Sequence, residues 1–540
     1  MSNARDQIEQ PEARASRSHR MASLGILTAA MLISGCAVGP DFQKPDAPTP
    51  EGWLETAEAS ISTDASDHRE WWKSFGDPAL EALIERAYAE NQALEIAGLR
   101  VYEARAHLGL AVGTLYPQTM SVRLSADDIE LSKNAEPVSI LPPAVRDAID
   151  PEFSNYRLGF NAGWELDFWG RFRRIVEAAD SSLAARVAAY DAALVTITGE
   201  VASTYILLRT LEQRLAVARN NLLLQQRSQE ISGVRFRNEL TSELDVVQAT
   251  VQAKNTEALI PRLEAALREV ENGLSLLIGA APGEVRKIIG EAADIPVTPT
   301  SVAVGMPTDL LRRRPDIRQA EYVAASQSAL IGVTKAELYP SFTLAGSIGF
   351  AAADFGDLTD SDSKNSIIGA GIRWNIFNFG RIKNRVRAND ARLQQALTGY
   401  ELAVLNALRE VENAQTAFVK GQQEVESLQV AAASASRAVE LASLQYRDGS
   451  TDFNRVLIAQ EILLFQEGLL TDARGRAARN LVGVYRALGG GWQIREGQDF
   501  ISTESKDAMR DRSNWGDLLD VEEAQPVPAD ERGKWRAPDR

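Results

Sequence analysis

Few side chains in this sequence are of a type that performs catalytic or metal chemistry. The 540 residues include one cysteine and three histidines, which are His19, His68 and His107. The histidines lack the spacing that would bring two of them to one metal ion. We find no phosphate-binding loop, dinucleotide fingerprint or serine-nucleophile motif. The sequence therefore predicts no enzyme, no cofactor and no metal site.

The single cysteine lies in a context that predicts lipid modification. Residues 21–33 form a short apolar stretch preceded by arginines, which is typical of a signal peptide and too short for a spanning helix. The stretch ends in ISGC (33–36), which resembles a bacterial lipobox. We predict that residues 1–35 are a signal peptide and that the Cys36 thiol accepts a diacylglycerol. The alternative is an unmodified cysteine after the signal peptide.

The segment after the cysteine predicts attachment to the outer membrane. Two thioether-linked lipid chains and an amide-linked acyl chain would anchor residues 36–77 firmly, whereas one chain binds only marginally. Ala37 follows the cysteine, and Asp at that position would resemble an inner-membrane retention signal. Translation from Met1 or from Met21 would give the same mature chain.

Composition and charge narrow the possible classes of protein. Hydrophobic residues make up 45% and charged residues 24%, which is ordinary for a soluble chain and unlike a helical membrane protein. Beyond the first forty residues, no uninterrupted apolar run reaches the roughly 20 residues that a spanning helix needs. The net charge of −16 argues against a nucleic-acid partner.

The chain consists of two similar halves. A shift of 210 residues aligns Trp164 with Trp374, Gly170 with Gly380 and Arg171 with Arg381. Upstream, Leu115-Tyr116-Pro117 matches Leu338-Tyr339-Pro340 at a shift of 223. We predict two structural repeats, at 78–280 and 308–490, joined by a proline-rich linker at 281–307.

Each half contains two segments that alternate between apolar and polar residues. They are residues 119–126, 156–168, 341–350 and 368–376. Strands of about ten residues with this period are typical of a transmembrane β-barrel, although a half-buried soluble sheet shows the same alternation. The lipoprotein signal and the aromatic strand ends favour the membrane. Turn-rich segments at 127–155 and 353–366 are predicted to be outer loops, and their unequal lengths explain the two shifts.

A very long helix follows the second strand of each half. From Phe172 to Leu215, apolar residues recur every three or four positions, as in coiled-coil packing. A helix of about 65 residues would be roughly 100 Å long, which no compact domain accommodates. We expect it to reverse near 236–243, and its copy near 446–453. The predicted strand-to-helix joints are Gly170, Arg171, Gly380 and Arg381.

Four strands per chain require several chains to close a barrel. The smallest single-chain barrels have eight strands, and an open sheet would expose unpaired backbone groups to lipid. Two copies would supply eight strands and three would supply twelve. Eight-stranded barrels are filled by side chains, whereas larger ones leave a water channel. A long tubular extension below an open channel favours three copies.

Several motifs together resemble one family. They are CAVGPDF (36–42), WW (71–72), FGDPAL (75–80), EARA (103–106), WELDFWGR (164–171) and LTSELDV (240–246). On these motifs, residues 36–492 resemble the lipoprotein branch of the outer membrane factors, the TolC/OprM family.

The resemblance implies a fold, a location and partners. It implies an α + β membrane protein, a homotrimer whose twelve-stranded outer-membrane barrel continues into a long periplasmic helical barrel. It further implies a passive gated duct for small molecules. Its partners would be outer-membrane lipid, a periplasmic adaptor and an inner-membrane pump of the resistance-nodulation-division type.

The resemblance also places the gate and the adaptor contacts at the two helical hairpin tips. The residues carried over are Phe236, Arg237, Leu240, Thr241, Ser242, Asp245, Tyr446, Arg447, Asp448, Gly449, Asp452 and Arg455. Tyr446 matches the gate tyrosine of the family, but Gln445 replaces an arginine of some members and Ile458 replaces a gate aspartate. The charges of Asp448, Asp452 and Arg455 predict either an alternative ion pair or a solvated tip.

Two other functions are compatible with parts of this pattern. One is a duct for protein export driven by an ABC transporter, although the lipobox and the Trp71-Trp72 pair favour small molecules. The other is a trimeric periplasmic scaffold, which would not need two β-hairpins. Residues 491–540 are polar and lack periodicity, so we expected a disordered tail.

Overall fold

The computed structural model describes residues 37–47, 49–57, 60–64, 68–136, 138–148, 150–520 and 537–538. The predicted signal peptide, Cys36 and most of the segment after residue 520 lie outside the described residues. All structural statements below concern the described part of the chain.

The first half, with the segments that flank it, contains two helices, a β-hairpin, a long helical hairpin and two short helices, with one short additional strand. Its helices are α1 (Pro78–Glu90), α2 (Gln92–Gly113), α3 (Pro143–Ala148), α4 (Arg171–Arg237), α5 (Glu243–Leu277) and α6 (Val285–Ile289). Its strands are β1 (Ile61–Ser62), β2 (Thr119–Glu130) and β3 (Glu152–Leu166). Asp77 caps α1 by accepting hydrogen bonds from the amides of Ala79 (2.9 Å) and Leu80 (3.2 Å).

The second half follows the same order of elements. Its strands are β4 (Val302–Ala303), β5 (Ser341–Ala352) and β6 (Lys364–Arg373), and its helices are α7 (Leu310–Arg313), α8 (Pro315–Ala336), α9 (Arg381–Arg447), α10 (Phe453–Ala487) and α11 (Thr503–Arg512). Short 3-10 turns span Leu54–Ala57, Trp71–Phe75, Pro307–Asp309, Phe355–Asp357, Ser361–Ser363, Trp492–Arg495 and Gly516–Leu519. Helices α2 and α8 have 22 residues each, α4 and α9 have 67 each, and α5 and α10 have 35 each.

The four long strands form one antiparallel sheet in the order β2-β3-β5-β6. The even-numbered apolar residues share one face, because Leu124 pairs with Leu158 and Leu158 pairs with Phe350. Strands β3 and β6 begin four residues before the predicted starts, and β6 ends at Arg373. Trp374, predicted to lie in the strand, therefore follows it. Strands β2 and β6 are the two edges of the sheet.

Left-handed glycines connect the strands to the long helices at the positions predicted for the joints. Gly170 precedes α4 with φ +73°, and Gly380 precedes α9 with φ +81°. Residues other than glycine rarely adopt this backbone conformation. The Asp167 carboxylate accepts hydrogen bonds from the Phe172 and Arg173 amides (3.0 Å each) and so caps α4.

The long helices lie side by side as a wall below the sheet. Nearest the sheet, the order of packed helices is α2-α4-α8-α9. Nearer the hairpin tips, the order is α5-α4-α10-α9. The main hydrophobic core extends from the strand-to-helix joint into the middle of the wall and includes Trp72, Tyr102, Tyr205 and Phe418, all buried. Strand β2 with α2 and α5 therefore forms one side of the chain, and β6 with α9 forms the other.

Helix α4 is the one described helix that is long and apolar enough to be considered as a membrane span. More than half of the apolar stretch is buried within the chain. Its apolar residues are explained by packing, because α2, α5, α8 and α10 all contact it.

The expectation of a disordered tail is wrong for residues 492–520. Helix α11 and two 3-10 turns fold back on the wall, and Phe500 and Leu519 are buried. Arg495 forms a buried ion pair with Asp191 of α4 at 2.6 Å. The segment is held by separated anchor residues and not by a continuous apolar stripe. Sequence periodicity therefore did not reveal it.

Candidate functional site at the hairpin tips

The first hairpin tip joins α4 to α5 through a left-handed turn. The Leu240 amide donates to the Arg235 carbonyl (2.9 Å), and the Glu239 amide donates to the Phe236 carbonyl (2.9 Å). This is a Schellman arrangement, which needs one left-handed residue after the helix. Glu239 occupies that position with φ +59°. A residue with a side chain costs about 1 kcal/mol there relative to glycine.

The second tip has the same turn with the favoured residue. The Ser450 amide donates to the Gln445 carbonyl (2.9 Å), and the Gly449 amide donates to the Tyr446 carbonyl (3.1 Å). Gly449 has φ +73°. The two tips are thus equivalent in backbone geometry and differ in their local strain.

Different side chains organise the starts of the two returning helices. In the second tip, the Asp452 carboxylate accepts a hydrogen bond from the Arg455 amide at 3.2 Å and caps α10. In the first tip, Ser242 makes no side-chain cap. There the Thr241 hydroxyl donates to the Asp245 carboxylate instead.

A small apolar cluster packs the two tips of one chain together. Tyr446, Phe453 and Val456 of the second tip are buried against Ala249 of α5. The rings of Tyr446 and Phe453 are 5.0 Å apart between centroids. The Gln252 side-chain amide also donates to the Leu457 carbonyl at 3.2 Å. The hairpins are therefore joined at their ends as well as along their length.

Arg235 makes the most extensive polar contact between the hairpins. Its Nη1 donates to the carbonyl oxygens of Tyr446 (3.0 Å) and Arg447 (3.2 Å) at the carboxyl end of α9. Its guanidinium carbon lies 4.7 Å from the centre of the Tyr446 ring. A cation is favoured at a helix carboxyl end and over an aromatic face. Arg235 therefore holds the end of α9 against α4.

Tyr446 links this contact to the first tip. Its hydroxyl donates to the Asp245 carboxylate at 3.4 Å. Burial raises the pKa of the Tyr446 phenol; the Thr241 hydroxyl and Arg235 lower it, and Asp245 raises it further. Tyr446 therefore stays a neutral hydrogen-bond donor at physiological pH.

The structure brings some predicted tip residues together and leaves others in solvent. Thr241, Asp245 and Tyr446 form one contact group. Phe236 is 43% exposed and Leu240 is 64% exposed. The other exposed residues of the predicted set are Arg237, Ser242, Arg447, Asp448, Gly449, Asp452 and Arg455.

The suggested ion pair among Asp448, Asp452 and Arg455 is wrong within one chain. In the part of the chain that the structure describes, no ion pair joins these side chains. Asp452 does not pair with the Arg455 guanidinium because its carboxylate caps α10 and accepts a hydrogen bond from the Arg455 amide.

Sequence reasoning missed Arg235. The shift of 210 residues aligns Arg235 with Gln445. At Gln445, some members of the family have an arginine. This chain therefore has an arginine at the equivalent position of the first half, and the Arg235 side chain reaches the second hairpin. The repeat alignment carried this signal, but contact between the tips was needed to interpret it.

The residues next to Cys36 lie at the first strand-to-helix joint. The Val38 amide donates to the Trp169 carbonyl at 3.0 Å. Asp41 forms an ion pair with Arg174 at 2.6 Å. The described chain therefore begins at the lower rim of the sheet, beside Gly170. At this joint Arg171 pairs with Glu165 (3.2 Å), whereas the Arg381 side chain donates to the Asn378 carbonyl.

No group of three or more potential metal-ligating side chains occurs among the described residues. His68 is buried beside Tyr485, with ring centroids 5.6 Å apart. His107 is exposed and 4.0 Å from Glu103. His68 and His107 therefore lie in separate surroundings, one beside an aromatic ring and the other beside a carboxylate.

Comparison with known proteins gives consistent matches. The family model for outer membrane efflux proteins matches residues 83–280 and 306–490. The pyoverdine export outer membrane protein OpmQ of Pseudomonas aeruginosa is 30% identical over 88% of this chain and 98% of its own length. The probable outer membrane lipoprotein SilC of Salmonella typhimurium is 27% identical over 85% of this chain and 97% of its own. The solved outer-membrane channel OprN is 31% identical and superposes with a TM-score of 0.78 over 85% of this chain and all of that one.

Proposed function

The chain belongs to the outer membrane efflux protein family, and from that premise we propose that it is the passive, gated exit duct of a tripartite efflux system. Proteins of this family are channels of the outer membrane with a large periplasmic helical part. The relative OpmQ is named for export through the outer membrane, and SilC is named as a probable outer membrane lipoprotein.

The open sides of the chain support an oligomeric duct. One side of the chain is formed by β2 in the sheet, α2 below it and α5 nearer the tips. The other side is formed by β6 and α9, and neither side is covered by the described part of the chain itself. Apolar residues lie on both: Leu110 is 69% exposed on α2, Leu244 is 62% exposed on α5, and Leu405 is 52% exposed on α9. Apolar side chains exposed on an unpartnered side of a chain are consistent with contact with another protein chain. Joining the two sides of successive copies would cover it. This observation carries the proposal.

The two faces of the sheet support a membrane barrel. Val122 is 73% exposed and Ile368 is 91% exposed, and both are on the even-numbered apolar face. The opposite face carries Ser, Thr, Gly and Arg. In a membrane barrel the apolar face contacts lipid and the polar face lines the channel. Three copies would give twelve strands, which is wide enough for an open channel, whereas two would give eight.

The position of the first described residues supports a lipid anchor at Cys36. Val38 lies against Trp169 at the lower rim of the sheet, which is where the barrel would meet the periplasmic leaflet. A lipid on the preceding cysteine would enter the membrane beside the barrel. The family member SilC is likewise described as a lipoprotein.

We place the gate at the hairpin tips. Arg235 and Tyr446 join the hairpins of one chain, so opening would require their contacts to break. The exposed residues around them, including Leu240 and Asp448, would meet the periplasmic adaptor. A resistance-nodulation-division pump in the inner membrane would deliver small molecules and supply the energy. Relatives are named for pyoverdine export and for cation efflux, which fits a duct whose cargo is chosen by its pump.

Conductance and mass of the purified protein would test the proposal. The protein is placed in a planar bilayer, and the mass of the oligomer is determined in the same detergent. A trimer with small, flickering conductance is the expected result. A monomer or dimer without conductance would overturn the proposal.

A further inference from the structure

The polar face of the sheet carries two arginines close to each other. On β2 and β3, Arg123 pairs with Gly159 and Ser125 pairs with Arg157. The two arginines are therefore diagonal neighbours on adjacent strands, about 7 Å apart at the backbone. Both are odd-numbered, so they lie on the face opposite Val122. Both side chains are exposed.

Neither arginine has its charge neutralised. In the part of the chain that the structure describes, no carboxylate lies within ion-pair distance of Arg123 or Arg157. Arg157 donates to the side-chain oxygen of Asn155 through Nε (3.0 Å) and Nη2 (2.6 Å), once that amide is oriented to accept. An amide fixes the guanidinium in place and leaves its charge uncompensated.

The neighbouring positions leave space around the arginines. The row of Arg123 continues through Gly159 and Gly349 to Asn365. The row of Arg157 continues to Ala351. Small residues beside a long side chain leave the guanidinium open to solutes. A methyl group at Gly349 would lie 2.3 Å from the Leu158 carbonyl, so this position also requires glycine for strand packing.

Carboxylates occur on the same face at other levels. Asp127 is one row further out, and its carboxylate accepts from the Ser125 hydroxyl at 3.1 Å. Glu165 and Arg373 lie at the opposite, helical end of the face. The outer loops are rich in Asp and Glu. The two arginines thus form a positive level between an acidic rim and a mixed lower end.

We propose that Arg123 and Arg157 form a basic belt near mid-height of the sheet, which binds multivalent anionic solutes with carboxylate or phosphate groups as they leave. The inference rests on the proposed trimeric channel, in which three copies would bring six guanidinium groups around one lumen. Low-dielectric walls focus the field of such charges and raise the local concentration of oppositely charged solutes. Guanidinium groups also bind carboxylate and phosphate in bidentate geometry. The basic belt therefore gives the duct its own preference for anionic solutes, which does not depend on the pump.

Binding of a defined polyanion tests the basic belt. Benzenehexacarboxylate is titrated into the purified full-length protein by calorimetry at low ionic strength. We expect binding that weakens at least about tenfold in the double variant R123Q/R157Q and that weakens as salt screens the charges. The matched control is R373Q, which removes an arginine from the same face. Within one chain, Arg373 is eight residues from Asn365, which places it about 27 Å along β6 from the row of Arg123.

Oligomer mass and conductance of each variant are measured alongside. Loss of binding in R123Q/R157Q with retained mass, conductance and binding in R373Q is the expected result. A wild-type trimer that conducts but does not bind the polyanion, or binding that survives in R123Q/R157Q, would overturn the basic belt alone. A wild-type protein that forms no conducting oligomer would overturn the proposed function and the basic belt with it.

Discussion

Helices α4 and α9 occupy the same position in the two halves, but the chain buries them differently. Both have 67 residues; 31 residues of α4 are buried and 14 of α9. Val195 of α4 is 7% exposed, whereas its counterpart Leu405 of α9 is 52% exposed. Helix α4 has neighbours of its own chain on both sides, and α9 forms an edge of the wall. The difference shows that the second half needs another molecule to complete its packing.

The strand-to-helix joints also differ in burial, and again the first half is the more buried one. Trp169 stacks on Tyr339 with ring centroids 4.6 Å apart and donates to the Pro340 carbonyl at 2.8 Å. Its counterpart Phe379 is 96% exposed. The first joint is therefore completed by contacts within the chain, while the second is on an open side. Four predictions test this comparison.

Charges on the open side of α9 should have the largest effect. In L402D/L405D, two carboxylates would enter the proposed contact with the next copy, and burial of an unpaired charge costs several kcal/mol. We expect loss of the trimer and of channel conductance. The measurement is oligomer mass by light scattering in detergent. The control is I140D, because Ile140 is 70% exposed in an outer loop. A stable trimer of L402D/L405D would show that this side of α9 is not an interface.

Removal of the Arg235 side chain should open the tips. R235A deletes two hydrogen bonds to carbonyl oxygens and one contact with the Tyr446 ring. The loss of about 1.5 kcal/mol would raise the open fraction about tenfold. Single-channel recording measures the open time. R237A is the control, because Arg237 is exposed at the same tip. Equal open times in R235A and wild type would remove Arg235 from the gate.

Loss of the Asp167 cap should loosen the first joint. D167A leaves two amides of α4 without their acceptor, which costs about 1 to 2 kcal/mol. We expect faster hydrogen exchange in the peptide that covers residues 168–176. D167N keeps an acceptor and should exchange at a rate between those of D167A and wild type. No difference between D167A and wild type would mean that packing of Trp169 alone holds the joint.

The smallest effects concern the two left-handed turns. E239G should stabilise the first tip by about 1 kcal/mol, because glycine adopts positive φ without steric cost. G449A should destabilise the second tip by a similar amount. Hydrogen exchange of the tip peptides measures both changes. If the exchange rates of both variants move in the same direction, backbone strain is not their cause.

Local sequence signals predicted most of the elements. The periodicity from Phe172 to Leu215 predicted α4, and the glycines at 170 and 380 predicted the positions of the strand-to-helix joints. The two shifts of 210 and 223 predicted hairpins with unequal loops. These features could be predicted because each depends on residues that are close in the chain. Apolar periodicity and the backbone freedom of glycine determine local structure.

Contacts between distant residues were decided only by the tertiary structure. The fold of residues 492–520 depends on Asp191, which lies some 300 positions earlier. Arg235 reaches the end of α9 because two hairpins lie side by side, and Asp452 caps a helix when its spacing from Arg455 also allowed an ion pair. The sequence by itself determined the long helices, the four long strands and the repeat. The tertiary structure decided which copy of each element is buried, because burial depends on the neighbours that surround a helix and not on its own residues.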